Sequence, residues 1–117
     1  MEEIIRRLEK FVKEREWEKY HTPKNLAMSI AIEAAELMEH FQWNEEDFPD
    51  VRKNVEKRRE VEEELADVMI YCLLFFYYLG SDVRVAITNK IQQNEKKYPY
   101  LGKKQNIYKK EGNSNMS

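Results

Sequence analysis

Two pairs of carboxylates at i,i+3 spacing are the residues of this chain best placed to do chemistry. Glu33 and Glu36 stand in AIEAAELMEH, and Glu64 and Asp67 in EEELADVMIY. Residues three apart on an α-helix lie roughly 60° apart around its axis, so each pair forms a pincer on one face. Most acids at this spacing only solvate a helix, and Glu2/Glu3, Glu45/Glu46 and Glu62/Glu63 read that way. Glu33 differs because Ile32, Ala34 and Ala35 surround it, and because it falls between Ile30 and Leu37 at the flank of an apolar stripe. Asp67 differs because the apolar run Val68 to Leu79 begins directly after it. Glu60, Glu64, Asp67 and Tyr71 follow i, i+4, i+7 and i+11, which draws acids and an aromatic into one column. Charge turned toward a core is costly unless something compensates it, and a cation is the simplest remedy. All-oxygen donors suit Mg²⁺ or Mn²⁺, whereas zinc favours His and Cys. Mg²⁺ keeps positions for water and for phosphate oxygens. The spacing by itself leaves two alternatives open: a divalent-metal site for phosphate chemistry, and acids that are merely solvated.

Two further groups of residues could accompany such a site. Trp17, Trp43 and Tyr71 lie near expected helix ends, with His21 and Asn25 at the first inter-helix turn. Flat rings can sandwich a nucleobase, and an amide or imidazole can hydrogen-bond its edge; the same residues also serve as core or interface aromatics. His40, four residues after Glu36, could contact a site acid. Near the end of the chain Lys90, Asn94, Lys97 and Tyr98 follow i, i+4, i+7 and i+8. A cation and an amide on that face could hold phosphate oxygens, or simply suit the negative end of a helix.

The elements that would carry these residues are four helices. The first is expected from about Glu2 to Tyr20, with Ile4, Ile5, Leu8, Phe11 and Val12 as its apolar stripe. Thr22 and Pro23 form a cap and first turn for a second, from about Lys24 to Trp43. Asn44 to Asp50 reads as a polar loop containing Pro49. A third helix is expected from near Val51 to Leu79, charged in its first half and apolar all round in its second, as in a bundle centre or a helix covered by another subunit. Gly80 closes it, and Ser81-Asp82 caps a fourth ending before Pro99. Residues 1–100 are expected to form one domain, and residues 101–117, rich in Lys, Asn, Ser and Gly, a flexible tail.

Composition narrows the partners. With 20 basic and 22 acidic residues well mixed, no broad electrostatic case for a nucleic-acid or membrane partner arises. The single cysteine, Cys72, excludes an intramolecular disulfide and a cysteine-built metal site. The longest apolar stretch, Val68 to Leu79, has 12 residues, against the ~20 a bilayer crossing needs. The N-terminus lacks the apolar core of a signal peptide. A cytoplasmic location is expected.

Taken in order, these pieces resemble the all-α NTP pyrophosphohydrolase superfamily, the MazG-like group, and within it the dCTP pyrophosphatase branch. The signature of that group is an ExxE, a spacer and an ExxD; here Glu33-xx-Glu36 and Glu64-xx-Asp67 are separated by 27 residues. Around it stand ERExW ending at Trp17, YHTPKNL from Tyr20, EHFQW from Glu39, EELADVMIY from Glu63 and KIxxNExKYP from Lys90. The resemblance covers about Leu8 to Pro99. It implies an all-α, four-helix MazG-like bundle completed by oligomerisation, a homo-oligomer with a tetramer favoured over a dimer. It implies hydrolysis of a nucleoside triphosphate to the monophosphate and pyrophosphate, with dCTP or a modified dCTP as the expected substrate. It implies Glu33, Glu36, Glu64 and Asp67 as ligands of Mg²⁺ (or Mn²⁺), with Glu36 or Glu33 acting on the attacking water. Trp17, His21, Asn25, Trp43 and Tyr71 would line the nucleotide pocket, and Lys90, Asn94 and Tyr98 would reach phosphates or sugar. Leu8 is a departure, since dCTP-specific members carry a His there. Two rival readings are a di-metal carboxylate bundle of the di-iron kind, which usually supplies Glu-x-x-His, absent here, and a non-enzymatic helical oligomerisation module.

Overall fold

In a computed structural model of the chain, residues 1–102 are described, and the expected C-terminal tail lies almost wholly outside them. The described residues contain helices and no strand: α1 Glu2–Glu14, a 3-10 turn Glu18–Tyr20, α2 Pro23–Glu39, α3 Phe48–Lys53, α4 Val55–Leu79 and α5 Val83–Lys97. The chain divides into two compact units, Met1–Gly80 and one that begins at Ser81. No single helix among the described residues is long and apolar enough to cross a membrane.

The first unit is built on α4, against which α1, α2 and α3 pack. Its core joins Val12 of α1, Leu26 of α2 and Leu74 of α4, with Leu8, Ile70, Tyr71 and Phe75 packed around them. Leu26, only 2% exposed, is the centre of this cluster. The apolar half of α4 is covered on one side only: Leu73 and Leu74 are buried, while Met69 and Leu79 are 48% and 63% exposed.

Several helix ends differ from the sequence reading, each for a local reason. α1 stops at Glu14, short of the expected Tyr20. Glu16 takes a left-handed backbone (φ 56°); its N–H bonds the Lys13 carbonyl at 3.1 Å, and the Trp17 N–H bonds that of Val12 at 3.0 Å. This is a Schellman closure formed without glycine, and its hydrophobic contact is the Trp17 ring, edge-on to Phe11 at 5.5 Å. α2 begins as expected, with Thr22 Oγ1 accepting the Asn25 N–H at 3.1 Å, but it ends at Glu39, before Trp43. The expected loop Asn44 to Asp50 is partly helical, because Asp47 and Asp50 form a reciprocal capping box that starts α3 at Phe48. The helix expected from Val51 is broken at Asn54, whose side chain accepts from the Lys57 N–H and caps α4. The described chain therefore has five α-helices where four were expected. Gly80 closes α4 at φ 71°, a conformation that costs a residue with a Cβ about 1–2 kcal/mol.

In the second unit Asp82 caps α5 by accepting the Val85 N–H at 3.1 Å. The helix ends with the Tyr98 N–H on the Asn94 carbonyl at 2.8 Å, ahead of Pro99 as the sequence indicates.

Candidate active site

α2 and α4 bring acids from both sequence pairs together. Glu33 of α2 and Glu64 and Asp67 of α4 each offer a carboxylate oxygen, and these oxygens lie within 4.8 Å of one another. That spacing suits one octahedral divalent cation with oxygens at about 2.1 Å. Glu36, one turn along α2, is exposed and stands outside this trio. It shares with Glu39, His40 and Glu64 a neighbouring polar depression. His40 thus lies beside the acids, as its spacing from Glu36 suggested.

The electrostatics of Glu64 set it apart from the solvated acids. Its Oε2 is shielded from solvent and receives no hydrogen bond. The Glu33 carboxylate within hydrogen-bonding reach, then burial, then the charge of Glu36 push its pKa up to about 7. A carboxylate oxygen without a donor among other carboxylates accepts either a proton or a cation. The donor set and the unpartnered oxygen both fit a divalent metal ion.

Asp67 also faces another environment. With Leu8, Trp17, His21 and Tyr71 it lines a mainly apolar cavity of about 390 Å³. Phe11 holds the Trp17 ring at the edge of this cavity. His21 is half-buried; its Nδ1 lies 2.9 Å from the Tyr78 hydroxyl, and burial lowers its pKa, which favours the neutral ring. Three expected pocket residues, Trp17, His21 and Tyr71, are therefore gathered against one of the acids.

The others are placed differently. The Asn25 amide donates to the Tyr20 carbonyl at 2.9 Å, tying the turn before α2, and it is not among the cavity walls. Trp43 is 87% exposed in the turn after α2. Lys57 braces that turn by donating to the His40 carbonyl at 2.8 Å and pairing with Glu46 at 3.4 Å. Lys90 and Asn94 lie on α5 and Tyr98 at its end, in the second unit. Phe11 was read from sequence only as part of the apolar stripe of α1, and Tyr78 was not singled out. Tyr78 stands seven residues after Tyr71, the same two-turn spacing that joins Glu64 to Tyr71, and that periodicity could have found it.

Residues 28–113 match the MazG-like family. The chain is 36% identical over 99 residues to human dCTP pyrophosphatase 1, covering 83% of this chain and 58% of the human protein. It is 37% identical to the mouse protein of the same name, with the same coverage. The chain thus spans a little under three fifths of the length of these curated relatives. A pyrophosphatase from Archaeoglobus fulgidus DSM 4304, known from a crystal structure, superposes with a TM-score of 0.75 at 44% identity, covering 86% of this chain and 93% of that one.

Proposed function

Since the chain belongs to the MazG-like family, we propose that it is a nucleoside triphosphate pyrophosphohydrolase, which cleaves its substrate to a nucleoside monophosphate and pyrophosphate. The observation that carries this reading is the double position of Asp67, which belongs both to the acid cluster and to the aromatic cavity. A nucleotide has the same two parts, a flat base and a chain of phosphates, and a site for it needs both next to each other. A cytosine nucleotide, dCTP or a modified form, is the substrate of choice, supported by the names of the relatives that match.

Glu33, Glu64 and Asp67, with Glu36 beside them, would hold the divalent ion, Mg²⁺ by the hardness of the donors and Mn²⁺ as its substitute. When bound, the ion supplies compensation for phosphate charge and acidifies bound water. Glu36, exposed and outside the trio, is the carboxylate left to take the proton of the attacking water, with Glu33 as the second choice. Trp17 and Tyr71 would flank the base, and His21 would meet its edge. Lys90, Asn94 and Tyr98 are assigned to phosphates or sugar, and Asn25 and Trp43 to the lining of the nucleotide pocket, on the family resemblance alone. The exposed apolar residues Trp43, Met38 and Phe48 would be covered in a homo-oligomer, a tetramer in preference to a dimer. The work would be done in the cytoplasm, where nucleoside triphosphates and Mg²⁺ are abundant.

The test is a panel of canonical and modified nucleoside triphosphates incubated with the protein and Mg²⁺, with pyrophosphate and orthophosphate assayed separately. Pyrophosphate release, fastest with a cytosine nucleotide, is expected. Orthophosphate release, or silence across the panel, defeats the reading. Retention of most turnover by Glu36→Gln would remove Glu36 as the base.

A further inference from the structure

The C-terminal end of α4 contributes a side chain to the cavity wall indirectly. Tyr78 lies 2.9 Å from His21 Nδ1 through its hydroxyl, and the two rings meet edge to face at 5.6 Å and 75°. The backbone of His21 is itself held, its N–H bonding the Glu18 carbonyl at 3.1 Å. Backbone, ring face and Nδ1 are thus all constrained, and Nε2 is the ring nitrogen left to meet a ligand.

We propose that Tyr78 is a positioning residue for His21: its hydroxyl donates to Nδ1, fixes the imidazole as the Nε2–H tautomer, and so sets a hydrogen-bond donor on the wall of the base cavity. The donor direction follows from chemistry. A neutral imidazole nitrogen is a strong acceptor and a phenol a good donor, whereas a phenol oxygen, whose lone pair is shared with its ring, accepts weakly. Both groups are uncharged near neutral pH, since burial lowers the pKa of His21 and raises that of Tyr78. A fixed N–H donor suits the acceptor edge of a pyrimidine, its ring carbonyl or unprotonated ring nitrogen. Opposite such a donor, a base presenting an N–H is left with two donors face to face. This assignment rests on the reading of the cavity as the nucleotide site.

The adjacent residue supplies a control. Tyr77 reaches instead to Glu9 of α1, so Tyr77→Phe removes a hydroxyl from the same turn of α4 without touching His21. The experiment records long-range ¹H–¹⁵N correlation spectra of the full chain without nucleotide, for wild type, Tyr78→Phe and Tyr77→Phe. His40, the other histidine of the chain, is the internal reference. Steady-state kinetics with dCTP and Mg²⁺ follow on the same three proteins. Wild type and Tyr77→Phe are expected to show His21 as the Nε2–H tautomer, and Tyr78→Phe a mixture of tautomers with His40 unchanged. KM for dCTP is expected to rise about three- to tenfold in Tyr78→Phe with kcat changed less than about twofold, the size of one exposed hydrogen bond.

A wild-type spectrum showing His21 as the Nδ1–H form or as a mixture overturns the proposal, and needs no variant to fold. An unchanged tautomer in Tyr78→Phe overturns it, as does an altered tautomer with an unchanged KM. If wild type hydrolyses no nucleotide, the functional reading fails by itself, and the nucleotide-free spectra still decide whether Tyr78 sets the tautomer.

Discussion

α2 and α4 border two depressions of opposite character. One is an apolar groove of about 580 Å³ walled by Leu37, Met38, Phe48, Val61 and Leu65, with Glu46 and Asp47 its only charged residues. The other, of about 450 Å³, is polar and is lined by Glu36, Glu39, His40 and Glu64 beside the acid cluster; there Glu64 has an oxygen shielded from water and from any donor. By volume the groove is the better cavity. By physical chemistry the acids are the better candidate site, because an apolar groove is satisfied by any apolar cover, whereas a shielded carboxylate among carboxylates is satisfied only by a proton or a cation. The lesson is that an uncompensated electrostatic cost identifies chemistry better than size does.

The sharpest way to break this contrast is to alter one residue on each side of it. Glu33→Ala or Glu64→Ala is expected to lower kcat/KM for pyrophosphate release by about 10²–10⁴-fold, whereas Met38→Ala in the groove stays within about threefold. Comparable losses from both sides would erase the distinction. Next in size is the response to metal. Saturating Mg²⁺ at a hundred times its Kd adds about 2.7 kcal/mol of stability by mass action, read as a rise in Tm. That rise should vanish in Glu64→Gln and survive in Leu65→Asp, which should instead shift sedimentation toward smaller species.

The pH dependence of the metal-free protein sharpens the contrast further. The folded pKa of Glu64, about 7, is raised above the ordinary carboxylate value of 4.5. Between those values the folded state holds a proton that the unfolded chain has released, so stability falls as pH rises through this window, and the loss is complete above it. Glu64→Gln, unable to ionise, should flatten that slope in chemical denaturation measured from pH 4.5 to 7, whereas Leu65→Ala should leave it intact. The smallest effect concerns the cavity edge. Glu16 occupies a left-handed position (φ 56°), so Glu16→Gly should raise stability by about 1 kcal/mol in urea denaturation, with Trp17 kept in place.

Two of the four helix starts that carry a side-chain cap among the described residues were legible in the sequence. Thr22-Pro23 and Asp82 cap where their types say they should, because a cap is a contact between residues three apart. The end of α1 was not legible. Glu16 adopts a glycine-like conformation because Trp17 folds back on Phe11, and a ring contact across a turn has no signature in helical periodicity. The break at Asn54 escaped for a related reason: one asparagine ends α3 and caps α4, while the residues on both sides read as continuous helix. In the cavity, Trp17, His21 and Tyr71 were found by residue type. Tyr78 was missed because its role lies in a partner 57 positions away.

The sequence by itself determined which acids share a helix face, since i,i+3 spacing is a local property of the backbone. It also placed Asp67 at the border between the charged and apolar halves of α4. Only the tertiary structure decided which acids meet. Packing of Leu26 and Val12 against Leu74 sets the register of α2 and α1 on α4. That register brings Glu33 to Glu64 and Asp67, sets Glu36 beside Glu64 but outside that trio, and turns Asp67 toward the aromatic cavity. Distances between helices depend on side chains far apart in the chain, and no period along one helix encodes them.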